Sequence, residues 1–257
     1  MKPYVSCQTG VTLLELMVAI AIAGVVMAAM FSFQQGQTKS HVTQEALTGM
    51  QQNARAAMQF MTSELRMAGC DPTGTAGARI LEASSNRIRF TMDFTSEPDD
   101  EDDYTTVPVI EINFEDGANP MYVLGVPDGM TDQLGEDITY ELAANGNIVR
   151  TDHNNDATPD AVIAQNIDAL DFVYLDGDGA RIGGAGDVLD PNQRGRISSI
   201  QVSTIARSGR DVPGFMYRHT DTQTYNNQEG DPLMNPNPPN DNFRRILLST
   251  EVRLRNM

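Results

Sequence analysis

The run Gly10-Val11-Thr12-Leu13-Leu14-Glu15-Leu16-Met17 opens the stretch whose reading decides the fold. From Val11 to Phe33 every residue except Glu15, Thr12 and Ser32 is apolar or small. At about 1.5 Å per residue, a helix over these positions crosses the roughly 30 Å hydrocarbon core of a bilayer. A carboxylate inside such a segment costs about 2.5–3.5 kcal/mol on insertion scales, so Glu15 requires a partner. The competing explanation is that Glu15 snorkels to a nearby membrane interface. An ordinary secretory signal cut after Ala28, leaving Ala29 first, fits less well. Its apolar core would exceed the usual span of about 7–15 residues, and Glu15 would interrupt it.

Past Phe33 the composition turns polar while the helical period persists. Val42, Ala46, Met50, Ala54, Ala57, Met61, Leu65 and Ala68 recur at three- and four-residue steps and mark one apolar stripe. Gln44, Gln51, Arg55, Gln59, Ser63 and Arg66 lie opposite, and Gly69 followed by Pro72 supplies a stop. The pattern predicts one helix from about Val11 to Ala68. Residues 11–33 form its membrane half and residues 34–69 an amphipathic half that continues into a globular head. An anchor joined to an unrelated domain would need a flexible linker near Gln34–Ser40, where Gly36 is the sole breaker.

The head, residues 70–257, reads as β-rich. Arg87–Met92 alternates with period two, and further strands are expected at Val107–Phe114, Met121–Val126, Ile138–Leu142, Ile148–Arg150, Leu170–Leu175, Ile197–Ala206 and Arg245–Leu254. Asn145-Gly146 predicts a two-residue hairpin turn. The acidic run Ser96–Asp103 reads as a solvated excursion. The Pro/Asn/Gly/Asp-rich segment 207–242 reads as a long loop protruding between the last two strands.

Charge narrows the function classes. The chain has 18 Lys+Arg against 35 Asp+Glu, a net charge of −17, which disfavours nucleic-acid partners because phosphate neutralisation needs clustered bases. Of two cysteines, Cys7 precedes the apolar segment, where a lipoprotein signal would have it follow. Cys70 then stands alone as a structural thiol at the helix end. His41, His153 and His219 are scattered, there is no nucleophile elbow, and Gly183-Gly184-Ala185-Gly186 lacks the Lys-Ser/Thr of a phosphate loop. No enzymatic constellation emerges. Asp152, Asn154, Asp156 and Asp160 fall at relative positions 1, 3, 5 and 9, the order in which an EF-hand-like loop offers oxygens to calcium. Ala157 replaces the turn glycine and Ile163 the closing glutamate, and an Asx-rich turn between strands is the alternative. Asp176-Gly177-Asp178-Gly179 reads as a turn.

The leader ending in Gly10, with Thr12, the leucines and Glu15 at fixed spacing, resembles the signal of type IV prepilins; Val11 departs from the usual phenylalanine. Glu64–Asp71, Ile167–Asp178, Ile197–Arg207 and Arg244–Asn256 are similar to minor pilins of the PilW family. The resemblance implies an α+β type IV pilin fold, with a long N-terminal helix packed on an antiparallel sheet. It implies that residues 1–10 are a leader removed by a prepilin peptidase after Gly10, that Val11 is then N-methylated, and that Glu15 meets the amine of a neighbouring subunit. Ser32, where many major pilins carry proline, favours an accessory subunit. Implied partners are other minor pilins, the major pilin, the inner-membrane assembly platform and membrane lipid. The implied location is the inner membrane of a Gram-negative-type bacterium, single-pass with the head periplasmic, and the pilus surface after assembly. A J-like minor pseudopilin of type II secretion shares this architecture. A membrane-anchored calcium-dependent adhesin is the functionally distinct alternative.

Overall fold

The computed structural model describes residues 12–94, 127, 129–155, 160–209 and 220–256. The leader, Val11, the acidic run, the strands expected at 107–114 and 121–126, Asp156 and His219 lie outside them.

Helix α1 spans Leu13–Leu65, 53 residues and about 80 Å at the standard rise. No proline interrupts it, and it runs unbroken through the region where a linker would have fallen. Thr12 caps its start. Its end comes three residues before the expected Ala68, because the chain tightens there into three-residue bonds, Met67 N–H to Glu64 O at 2.9 Å and Ala68 N–H to Leu65 O at 3.2 Å. Gly69, at φ 73°, then turns the chain and donates its N–H to Thr91 O.

The strands form two antiparallel sheets. The first is a meander in chain order: β1 (Ile80–Ala83), β2 (Arg87–Thr91), β3 (Asp137–Leu142), β4 (Ile148–Asp152) and β5 (Asp160–Ala164). The second orders β6 (Ile167–Leu175), β7 (Ser199–Arg207) and β8 (Arg245–Arg253). A single-turn helix, α2 (Pro191–Arg194), is capped by Asp190. The sheets meet at the β1–β2 hairpin, where Ser85 O accepts from Phe172 N–H and Ser84 O from the Tyr174 hydroxyl. β1 and β5 were not anticipated: β1 is too short to show a period, and β5 begins inside the loop read as a calcium motif. The β3–β4 hairpin forms as expected, but on a three-residue turn. Ala143 N–H bonds Asn147 O, and of the turn residues only Gly146 has positive φ, whereas a two-residue type I′ turn needs it twice.

The lower half of α1 lies across both sheets, touching β5, β7 and β8. Met50, Ala54, Ala57, Met61, Leu65 and Ala68 are buried, which is the expected stripe from its third member onward. Small side chains at 54 and 57 let the helix backbone approach the sheets closely. Against them pack Ile88, Phe90, Ile138, Tyr140 and Ile148 from the first sheet and Phe172, Ile200, Val202 and Val252 from the second.

The described part of the long loop does not protrude. From 220 onward it folds back over the face of the second sheet that points away from α1. That face carries Ala169, Ile205 and Leu247, and Tyr225, 2% exposed, covers them together with Leu233 and Met234. Arg245 on β8 fastens the loop through Asp241 and Asp221, while its Nε donates to Asp168 on β6 at 2.6 Å. Polar composition suggested solvent exposure, but the loop's acids are matched to a buried guanidinium and its few apolar residues to an uncovered sheet face.

Hydrogen bonds from Arg245 hold Asp241 below its ordinary pKa, and Arg181 does the same for Asp231. A depressed folded-state pKa contributes stability that is full above the unfolded value and is lost as pH falls through the folded one. Loop attachment should therefore be intact above about pH 4 and weaken below it. Hydrogen-exchange protection factors across 220–244 should fall on acidification before those of β6 and β7 do.

Candidate assembly interface

Among the described residues, none covers the upper half of α1. From Leu13 to Phe33 its large apolar side chains are exposed, Leu13 by 76% and Phe33 by 68%, and its most apolar 18-residue stretch has no buried residue. A continuous apolar surface of this length is covered by lipid or by other helices, not by water. Gly24, Gly36 and Gly49 face open space, so no close contact within the chain explains them. In the lone chain they are free for contacts between helices.

Glu15 sits at the third position of α1. Its carboxylate accepts from Thr12 N–H at 3.2 Å and lies 3.3 Å from the Thr12 hydroxyl, while Glu15 N–H donates back to that hydroxyl. This is a capping box, and the Thr12-x-x-Glu15 spacing is its sequence signature, although the sequence reasoning weighed only a neighbour's amine or an interface. In the isolated subunit, Thr12 thus supplies a local partner for the intramembrane carboxylate. Gly10 and Val11 lie outside the described residues.

At the other end of α1 a polar clamp joins helix to head. The Tyr140 hydroxyl donates to Glu64 Oε2, Arg150 Nε lies 3.1 Å and 3.2 Å from the two Glu64 oxygens, and Arg150 Nη1 is 3.7 Å from Asp152. The Arg150 side chain is 11% exposed, with its guanidinium beside the Phe60 ring. Burial and the Glu64 charge both push the Tyr140 hydroxyl well above its ordinary pKa, so it remains a donor. Sequence reasoning missed this clamp. The available signal was Glu64 itself, a carboxylate seven residues after Ala57 and three after Met61 on the buried stripe.

Of the four oxygen donors of the 152–160 loop, Asp156 lies outside the described residues, and the other three are not gathered around one point. Asp160 is the cross-strand partner of Thr151 and accepts from its hydroxyl at 2.6 Å. Asp152, one residue on, points to the opposite sheet face, where it is buried and accepts from Gly135 N–H at 2.8 Å. The Asn154 amide donates to the carbonyls of Thr131 and Gln133. Among the described residues no three His, Cys, Asp or Glu side chains converge as metal ligands would. Cys70 is free and half-buried against the core, and its thiol pKa is pushed up by burial and by Asp93 and Asp71. Asp176 caps its turn by accepting from Ala180 and Asp178 N–H. His41 is exposed on α1, and His153 pairs with Thr139.

Residues 5–31 match the prokaryotic N-terminal methylation motif, a span that includes Gly10, Val11 and Glu15. No curated protein matches the chain significantly. Among solved structures the chain is similar to a type IV-like pilin from Thermus thermophilus, at 14% identity and a TM-score of 0.47, covering 80% of this chain and 96% of that one. The matched methylation motif and the exposed apolar helix that it opens support a type IV pilin-like protein, and α1 is long and apolar enough to cross a membrane.

Removing one member of a buried ion pair strands the other. Arg150→Met should destabilise the head by about 3–5 kcal/mol, and adding Glu64→Gln should recover much of the loss. Urea unfolding of the full chain in detergent checks both.

Proposed function

We propose that this chain is a minor pilin of a type IV pilus, of the PilW-like kind, which primes filament assembly and sits near the pilus tip. The observation that carries the reading is Glu15, a carboxylate on an exposed apolar helix within a matched methylation motif, with Thr12 as its partner among the described residues. A prepilin peptidase cuts after Gly10 and methylates Val11. The new positive amine then lies about one helical turn from Glu15, too near in its own chain for the straight helix to fold it back. In a staggered bundle of helices the amine of one subunit instead reaches Glu15 of the next, offsetting the cost of both charges in a dry environment. The pair checks register, because an apolar helix offers little else to fix its height.

Other minor pilins, the major pilin and the inner-membrane platform are the partners in this scheme. The head faces the periplasm before assembly and the cell surface afterwards. The chain acts as a packed subunit and as a substrate of the peptidase.

Glu15→Ala separates this reading from an anchored adhesin. Removing the carboxylate lowers the insertion cost by about 2.5–3.5 kcal/mol, so the variant should remain in the membrane while incorporation into filaments is lost. An adhesin would be indifferent to the change. The mass and N-terminal sequence of the membrane-extracted protein should give methyl-valine at residue 11, and a start at Ala29 would refute the scheme. Pilus genes beside the coding sequence, rather than secretion-channel genes, would set it apart from a J-like pseudopilin.

A further inference from the structure

Among the described residues β8 is a margin of the second sheet, with β7 as its one neighbouring strand. Leu254 N–H donates to Ser198 O at 2.9 Å and Ser208 N–H to Arg244 O at 2.8 Å, and the register between them runs without a shift. Hydrogen-bonded and unbonded pairs alternate in an antiparallel ladder, so the even-numbered residues of β8 point their backbone groups at β7. Leu247, Ser249 and Glu251 therefore turn their N–H and C=O away from the sheet, and no hydrogen bond from a described residue reaches these groups.

Beside this edge runs an open cleft of about 480 Å³ between β8 and one flank of α1. The helix contributes Arg55, Gln59, Ser63 and Arg66, and the strand contributes Leu248 and Thr250. Arg55 and Arg66 stand three helical turns apart and so share a face, about 17 Å from each other along the axis. Both are exposed, and among the described residues neither has an ion-pair or hydrogen-bond partner. In a chain of net charge −17, carboxylates claim Arg89, Arg150, Arg181 and Arg245. Two unclaimed cations beside an unpaired strand edge mark this flank as the place where negative charge from outside is welcome. Charges that guard an edge sit on the edge strand itself, whereas these belong to the helix next to it.

We propose that the β8 edge and the Arg55–Arg66 flank of α1 form a docking groove for an extended acidic segment of a partner protein. The segment adds as a further strand, its backbone bonding Leu247, Ser249 and Glu251. Its side chains alternate in direction, so carboxylates four residues apart, about 13 Å, lie on the α1 side within reach of both guanidinium groups. On the other face the exposed Glu251 repels an acid set opposite it, so the fitting segment carries its carboxylates on one side alone. A nucleic acid or a lipid headgroup would use the two cations and leave the edge N–H and C=O unmatched. The groove lies about 60 Å from Glu15 along α1, so it does not depend on the pairing proposed for that carboxylate.

The test is fluorescence anisotropy of the full chain in detergent with a short labelled peptide that alternates threonine and glutamate. Wild type should bind it and ignore the same peptide with lysine in place of glutamate. Binding should be lost when one set of alternate peptide amides is N-methylated and kept when the other set is, the signature of strand addition. Arg55→Glu combined with Arg66→Glu should weaken binding about tenfold, because each exposed attraction becomes a repulsion. Arg79→Glu, an exposed arginine at a different cleft, should leave binding unchanged. If the double reversal does not fold, Arg55→Gln with Arg66→Gln should weaken binding severalfold. The proposal is overturned by an acidic peptide that does not bind, by affinity untouched in both double variants, or by indifference to both methylated sets, since charge alone then explains the contact. Slow hydrogen exchange at Leu247, Ser249 and Glu251 that sets in with chain concentration, without peptide, gives the edge to a second copy and also overturns it.

Discussion

The packing of Ala54, Ala57, Met61 and Leu65 against two sheets, locked at its end by Glu64 and Arg150, fixes one half of α1 so that the other half must project. A helix held along three or four turns cannot bend back over its own head without breaking backbone bonds. Among the described residues, the apolar side chains before Gln34 therefore have no intramolecular cover. The rigid union also means that any position imposed on the anchor is imposed on the head.

Arginine carries much of the order in the head. In a chain with nearly twice as many acids as bases, the buried guanidinium groups of Arg150 and Arg245 each serve several carboxylates. Arg150 joins helix, β3 and β4 through Glu64, Tyr140 and Asp152. Arg245 joins β6, β8 and the returning loop through Asp168, Asp221 and Asp241. Arg89 spans β2 and β3 to Asp137. The planar five-donor fork suits this use, because one cation satisfies acids from separate elements while remaining charged. Asp93 differs as a buried acid that, among the described residues, accepts from Thr73 and Gly129 and from no guanidinium.

The two ends of α1 treat their carboxylates differently. Glu64 is committed, enclosed by Tyr140 and Arg150. Among the described residues, Glu15 is held by the first turn of its own helix, through Thr12. A local cap of this kind keeps the charge from being bare on an apolar helix.

The sequence by itself determined the long helix, its division into an exposed apolar half and a packed half, most of the described strands and the place of Glu15 on the helix. Those properties depend on hydrophobic period and on spacing along one segment, which neighbours in sequence carry. Only the tertiary structure decided that 220–244 returns to cover Ala169 and Ile205, that Asp152 and Asp160 face opposite sides of a sheet, and that Arg150 reaches Glu64 across 86 positions. Partners so far apart in the chain leave no periodic trace, because charge pairing and burial depend on which surfaces meet and not on the order in which residues are joined.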